Sequence, residues 1–334
     1  MRPEFQLREW TYVLGGPLLQ RQNWPALASV APGAQVTKLP LRLDTDAPFL
    51  LRSIAVRVQY DPNFPLGGST HRQTGLNFVL FRFTGPTGQY FQQVPTPLTL
   101  MTPYGGQIGN PLPMQRQVYY PAGGLIQLDL VNSSTAQSFT NLTFYFKGVK
   151  IWPWGVRRWY PYPSRVSMLP YAYTFGQSPI EFPTLYNVAT TQPVGTPLRV
   201  TLNFKEDGDF VLRSMQAGPA NNLSWEVFLR LKDSDEYPYS SDFVHADVMC
   251  GHGLGTATYP TGSPTGGTGG SGVVMADVQA GGALPAVVFP EIYVPNNHYM
   301  WLEIARADAP FVVQGAIAQD FPIVFRGAKV YQAG

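Results

Sequence analysis

Residues 49–60 read FLLRSIAVRVQY, and the beginning of this stretch returns as FVLRSM at residues 210–215. Both copies contain the pattern F-x-L-R-S, and each follows a short strand-like run that comes directly after a proline. Ile54, Val56 and Val58 share one face of this stretch and Arg57 and Gln59 the other, which is the period of a β-strand with one buried face. A pattern that recurs in the same order of elements predicts two similar units in one chain.

The two units also end in the same way. FKGVKI at residues 146–151 returns as FRGAKV at residues 325–330, so that an aromatic residue, a basic residue, a glycine and a lysine recur at fixed spacing. Other strand-like runs correspond between these landmarks, among them residues 126–130 and 300–304. The repeated order favours an internal duplication.

The composition predicts an all-β protein. Of 334 residues, 33 are glycine and 32 are proline, aromatic residues make up 13%, and charged residues make up only 13%. Typical soluble domains contain about 25% charged residues, so the chain is poor in the residues that form surface helices. We therefore predict two tandem antiparallel β-sandwich or jelly-roll domains.

Changes in composition along the chain suggest the domain boundaries. We predict an extended N-terminal arm over residues 1–36, a first sandwich over 37–152, an aromatic and proline-rich connector over 153–197, and a second sandwich over 198–334. The second sandwich contains a glycine-rich loop at residues 251–282, which we expect at an exposed end. The arm lacks sustained periodicity, so it either wraps its own domain or reaches a neighbouring subunit, and its aromatic residues and leucines favour the second.

The low charge and the aromatic segments indicate burial against other subunits. The candidate assembly residues are Trp10, Tyr12, Trp24, Trp152, Trp154, Arg157, Arg158, Trp159, Tyr160 and Tyr162. The arginines and aromatics of the connector could also stack on bases or sugars. A net charge of +2 favours protein–protein contact instead and argues against a dedicated nucleic-acid binder.

His245, Asp247, Cys250 and His252 form the nearest approach to a metal or catalytic site. These residue types ligate zinc, but their spacing matches no zinc finger or ribbon, and a strand end with one buried thiol is the simpler interpretation. We therefore predict no metal, no cofactor, no catalytic residue and no enzyme activity.

Two acidic clusters and the glycine-rich loop also lack the pattern of a ligand site. Too few oxygen ligands occur at calcium-loop spacing in either cluster, so we interpret them as polar hairpin turns: Glu206, Asp207 and Asp209 in one, and Asp233, Asp235 and Glu236 in the other. The glycine-rich loop lacks the Gly-Lys-Ser/Thr ending of a phosphate cradle.

Targeting signals are not evident in the sequence. The N-terminal residues lack an apolar signal core, and no run of about eighteen apolar residues predicts a membrane span. The single cysteine, Cys250, excludes a disulfide within the chain. We expect synthesis in a host cytoplasm without a signal peptide.

The paired F-x-L-R-S strands and the paired F-K/R-G-x-K endings, together with the aromatic connector, resemble the tandem jelly-roll coat proteins of icosahedral viruses, with jelly-roll head decoration proteins next. This resemblance covers the chain from about residue 37 onward and implies a virion structural protein, of a bacteriophage in our interpretation. Its partners would be copies of itself and other virion proteins. The alternatives are a carbohydrate- or receptor-binding module of a phage tail, with Trp154, Trp159 or Trp225 as stacking platforms, and a metal-dependent enzyme.

Overall fold

The structure is a computed structural model. The structure describes residues 5–15, 27, 29–59, 78–97, 112–136, 138–153, 166–175, 197–204, 208–217, 227–250, 286–306 and 323–332. All structural statements below concern these residues. Within them, no helix is long and apolar enough to cross a membrane.

The first unit is defined by strands β1 to β9. These are β1 (Phe5–Gly15), β2 (Ser29–Val30), β3 (Gln35–Arg42), β4 (Phe49–Gln59), β5 (Val79–Phe83), β6 (Thr96–Pro97), β7 (Leu112–Tyr120), β8 (Leu125–Asn132) and β9 (Phe139–Pro153). They form two antiparallel sheets in the orders β1-β9-β4-β7 and β3-β8-β5-β6, and β2 pairs with β9. Phe49 and Phe144 of one sheet and Phe81 of the other are fully buried in a common apolar core.

The second unit is defined by strands β10 to β17 and one short helix. These are β10 (Val166–Phe175), β11 (Leu198–Asn203), β12 (Asp209–Ala217), β13 (Val227–Lys232), β14 (Val244–His245), α1 (Ala246–Cys250), β15 (Ala286–Val294), β16 (Tyr299–Arg306) and β17 (Ile323–Gln332). The two sheets have the orders β10-β17-β12-β15 and β11-β16-β13-β14.

The two units have the same strand order, position for position. If β2 is set aside, β1 and β3 to β9 of the first unit correspond to β10 to β17 of the second, in both sheets. Eight antiparallel strands divided between two sheets in this order form a jelly roll. The all-β sandwich prediction is confirmed. That the two units arose by duplication, and that domain boundaries fall where the composition changes, remain predictions.

The repeated F-x-L-R-S motif forms the same β-bulge in both units. In the first unit Leu51 pairs with Gly148 and Ser53 with the preceding residue of β9, so that the register shifts by one residue at Arg52. The register between β12 and β17 shifts in the same way after Leu212, which pairs with Gly327. A bulge adds one residue to one strand and increases the local twist.

The glycine of the F-K/R-G-x-K ending lies directly opposite this bulge. A Cβ atom at Gly148 would lie 2.1 Å from the carbonyl oxygen of Leu50 and 2.7 Å from the ring of Phe49. At Gly327 the corresponding distance to the carbonyl oxygen of Val211 would be 1.7 Å. In each unit the two repeated motifs therefore lie on adjacent strands whose backbones approach closely at the glycine, where no larger residue fits.

The N-terminal segment differs from the expected arm, because Phe5–Gly15 forms the edge strand β1 and pairs with β9 of the same chain. The expectation that this segment reaches a neighbouring subunit is wrong for these residues. One face of β1 lies in the core of the first unit, and Thr11 on the other face is also buried. Since both faces are covered, the sequence does not alternate between apolar and polar residues.

The predicted connector also contains a strand. Val166–Phe175 forms β10, which pairs with β17 at one edge of its sheet. Pro170 lies within this strand, and proline is tolerated on an edge strand because it need not donate a ladder hydrogen bond. The high proline content correctly argued against a central strand, but it concealed this edge strand.

Two further features belong to the second unit. The five-residue helix α1 was not expected. The glycine-rich loop at residues 251–282 lies outside the described residues.

Candidate functional site: the contact between the two units

The open edge of β1 is covered by the β13–β14 loop, residues 233–243 of the second unit. The Thr11 amide donates to the Tyr239 carbonyl at 3.1 Å, and the Ser241 amide donates to the Thr11 carbonyl at 2.8 Å. The Ser241 hydroxyl also accepts a hydrogen bond from the Val13 amide at 3.0 Å. An uncovered edge strand is a template for pairing with other chains, and here the same chain provides the partner.

Arg8 is the charged centre of this contact. Its guanidinium forms a 2.9 Å salt bridge with Asp233 and donates to the Tyr237 carbonyl at 2.9 Å. It also lies 4.2 Å from the ring centroid of Tyr237 and 4.1 Å from that of Tyr239. Burial raises the pKa of Tyr239 to about 12, although the positive charge of Arg8 acts in the opposite direction. Arg8 thus joins β1 to both sides of the loop.

A buried lysine organises the adjoining aromatic cluster. Lys150 is 1% exposed, and its ammonium group lies 2.6 Å from an oxygen of Asp44 and 2.9 Å from an oxygen of Asp46. The same group lies 3.7 Å from the ring centroid of Trp10. Tyr237 of the second unit closes the cluster, because its hydroxyl donates to Asp46 at 3.0 Å. A buried charge needs such partners to offset the loss of hydration.

Three of the predicted assembly residues belong to this region. Trp10 and Trp152 both contact Tyr237, with ring centroids 5.6 and 6.0 Å apart. Tyr12 is buried beside Phe49, and burial, followed by the charge of Asp44, raises its pKa well above the usual range. Trp10 and Trp152 therefore contact the second unit of the same chain, and Tyr12 lies in the core of the first unit.

The remaining assembly candidates lie outside the described residues and stay predictions. They are Trp24, Trp154, Arg157, Arg158, Trp159, Tyr160 and Tyr162.

The outer face of the first unit's β1-β9-β4-β7 sheet is also covered by the second unit. Tyr145 and His245 form a hydrogen bond between the tyrosine hydroxyl and the imidazole Nδ1. Lys147 donates to the carbonyl of Val248 in α1 at 3.3 Å. Tyr145 and Ala55 pack in the same apolar cluster as the core of the second unit. The contact is therefore continuous from the edge of β1 to the face of its sheet.

The possible zinc residues do not form a metal centre within the described part of the chain. There, no group of three or more His, Cys, Asp and Glu side chains is placed to hold a metal ion. His245 forms a hydrogen bond with Tyr145, and Cys250 is a buried thiol that belongs to no disulfide. His252 and the side chain of Asp247 lie outside the described residues.

Asp233 and Asp209 stabilise turns, whereas Glu236 forms a 2.8 Å salt bridge with Arg199. Asp233 accepts hydrogen bonds from the amides of Asp235 and Tyr237 at 3.0 and 2.8 Å. Asp209 accepts from the amide of Asn296 at 2.7 Å. Glu206 and Asp207 lie outside the described residues. These bonds are those of carboxylates that satisfy turn amides rather than calcium ligands.

A cleft runs along the contact between the units. Residues of β1, including Leu7 and Arg8, line one side, and residues of the second unit, including Tyr239, Tyr293 and Tyr299, line the other. Its cavity volume of about 80 Å³ is well below the roughly 300–1,000 Å³ of small-molecule sites. The cleft is therefore a seam between packed surfaces.

The contact between the units was not predicted from the sequence. Arg8 and Asp233 are separated by 225 positions, and neither belongs to a recurring motif. Lys150 was visible as the final lysine of the repeated ending, but its carboxylate partners lie in a different segment.

Comparison with known proteins assigns no family. No family model and no curated protein matches the chain. A peptide-N(4)-(N-acetyl-β-D-glucosaminyl)asparagine amidase structure has a TM-score of 0.19 and 11% identity, covering 96% of this chain and 100% of that one. Infectious bursal virus-derived T=1 particles give a TM-score of 0.18 and 11% identity, with 98% and 70% covered. The infectious bursal disease virus Gx strain gives 0.16 and 12%, with 98% and 72% covered.

These likenesses are too low to support a functional argument. The prediction that the chain has no enzyme activity is nevertheless corrected. The comparisons do not support it, because the amidase is an enzyme. At a TM-score of 0.19, that structure does not assign an activity to this chain either.

Proposed function

We propose that the chain is a structural subunit of a virion, either a coat protein or a head-attached decoration protein of a bacteriophage, and that it acts by assembling with copies of itself and with other virion proteins. The observation that carries this proposal is the pairing of two jelly-roll units with the same strand order through unlike surfaces. Jelly rolls serve in viral capsids but also in lectins, so the fold alone does not decide the function.

The contact between the units supports assembly because it is heterologous. The edge of β1 in the first unit meets a loop of the second unit, and the two surfaces differ. A heterologous contact that is repeated between similar units closes into a ring or continues as a filament. Three copies would place six similar units around a ring, an arrangement that suits a closed shell.

The native mass of the full-length protein tests the proposal. We expect light scattering to give a defined oligomer at neutral pH, and three chains of 36.9 kDa correspond to about 111 kDa. A larger closed particle would also support assembly. A monomer of 36.9 kDa across the micromolar range would overturn the proposal.

The carbohydrate-binding alternative stays a prediction. Its proposed stacking platforms, Trp154, Trp159 and Trp225, lie outside the described residues, and no observation in the described part favours it.

A further inference from the structure

The two units carry loops of the same conformation at equivalent positions. The β5–β6 loop, residues 85–95, corresponds to the β13–β14 loop. The Phe91 amide donates to the Phe83 carbonyl at 3.0 Å, and the Tyr239 amide donates to the Leu231 carbonyl at 3.0 Å. Thr84 bridges to Tyr90 in the first unit as Lys232 bridges to Pro238 in the second. Phe91 is therefore the counterpart of Tyr239.

The strands that such loops cover are equivalent as well. Trp10 of β1 pairs with Gly148, and Tyr171 of β10 pairs with Gly327. This register makes Leu169 the counterpart of Arg8. By the same count Met168 corresponds to Leu7, and Ala172 corresponds to Thr11.

Within the described part of the chain, one of the two equivalent contacts is made and the other is not. The β13–β14 loop covers β1, whereas among the described residues no loop covers β10 in this way. Thr11 is buried, but its counterpart Ala172 is exposed. Among the described residues the β10 edge of the second unit is thus left uncovered, and the first unit presents the loop that matches it.

The exposed apolar residues concentrate on these two surfaces. Among the described residues eight large hydrophobic side chains are exposed, and five of them are counterparts of residues that line the cleft between the units. These five are Met168 and Leu169 on β10, and Phe91, Tyr119 and Leu125 on the first unit. Their counterparts are Leu7, Arg8, Tyr239, Tyr293 and Tyr299. Exposed apolar residues grouped in this way mark an interaction surface.

The chemistry of the two surfaces is complementary. Inside the chain Arg8 packs against Tyr239 and pairs with Asp233. At the equivalent positions Leu169 would meet Phe91, and the counterpart of Asp233 is Gly85. The counterparts of Arg8 and Asp233 are thus both uncharged, and an apolar contact takes the place of the charged pair.

We propose that the β10 edge of one copy receives the β5–β6 loop of a second copy. Leu169 then packs against Phe91, and the backbone of Ala172 pairs with the loop as Thr11 does inside the chain. The inference rests on the proposed assembly function, and it specifies the surface through which copies join. Because the contact is heterologous, it alternates with the contact inside the chain around a ring.

Complementary charge variants test this contact in the full-length protein. Leu169→Glu and Phe91→Lys each place one charge in the proposed apolar contact, and we expect each to weaken assembly about 10- to 100-fold. The double variant places opposite charges at every junction, so we expect it to recover assembly. Phe78→Lys is the matched control, since Phe78 is 45% exposed but lies outside the two surfaces.

Native mass at several concentrations measures the outcome, and thermal melting confirms that each variant is folded. If the wild type assembles and both single variants assemble equally well, this contact is wrong while the proposed function stands. Failure of the folded double variant to recover assembly would also overturn the pairing of Leu169 with Phe91. A monomeric wild type would overturn both proposals.

Discussion

Gly148→Ala is the sharpest test of why the two motifs recur. The added Cβ would lie 2.1 Å from the Leu50 carbonyl oxygen, whereas ordinary contacts begin at about 3.4 Å. Strands β4 and β9 would have to separate by more than 1 Å at a point where the bulge already interrupts their ladder. Overpacking of a core costs about 1–3 kcal/mol and more where backbone must move, so we expect a loss of about 3 kcal/mol.

The assay is thermal unfolding followed by circular dichroism. A loss of about 3 kcal/mol corresponds to a melting temperature lower by about 6–12 °C for a unit of this size. Gly327→Ala should act similarly in the second unit, because its Cβ would lie 1.7 Å from the Val211 carbonyl oxygen. Gly33→Ala is the control: its φ of +72° makes alanine unfavourable, but a Cβ there meets no atom within 4 Å, so we expect about 1–2 kcal/mol. A melting temperature of Gly148→Ala equal to that of the control would refute this explanation.

Two further predictions concern charged groups. Arg8→Met and Asp233→Asn should each lower the free energy of unfolding by about 1–3 kcal/mol. The double variant should lower it by less than the sum of the two, because the partners are in contact. Strictly additive losses in denaturant titrations would contradict a direct pair. Burial alone would raise the pKa of Glu303, but hydrogen bonds from Lys232 and Arg230 outweigh burial and hold it below the usual range. A lowered carboxyl pKa stabilises the fold above the unfolded pKa of about 4.3, and this stability is lost as the pH falls through the folded pKa. Glu303→Gln should therefore be less stable than the wild type at pH 7 and approach it at pH 3, and an unchanged difference at both pH values would contradict the role of Glu303.

The fold class could be predicted because its sequence signals, the alternation and the repeated motifs, each lie within a single strand. The alternation after Arg52 and the repeated endings placed β4, β9, β12 and β17, which are the central strands of two sheets. The structure explains the repetition, since the bulge at each arginine requires the glycine opposite to it. Alternation and glycine position were thus sufficient signals.

The edge strands and the contact between the units could not be predicted in the same way. β1 is covered on both faces, which removes the alternation that marks a half-buried strand. In β10, Pro170 conceals the strand because the proline rule does not distinguish edge strands from loops without tertiary information. Arg8 and Asp233 lie in different units and are separated by 225 positions, so no local pattern indicates the pair.

Image averages of the assembled protein by electron microscopy test most directly whether the contact inside the chain is repeated between copies. We expect rings with six lobes of two alternating kinds, related by threefold symmetry, because each copy contributes two similar units joined head to tail. Closed twofold dimers, in which identical surfaces meet, would contradict the account.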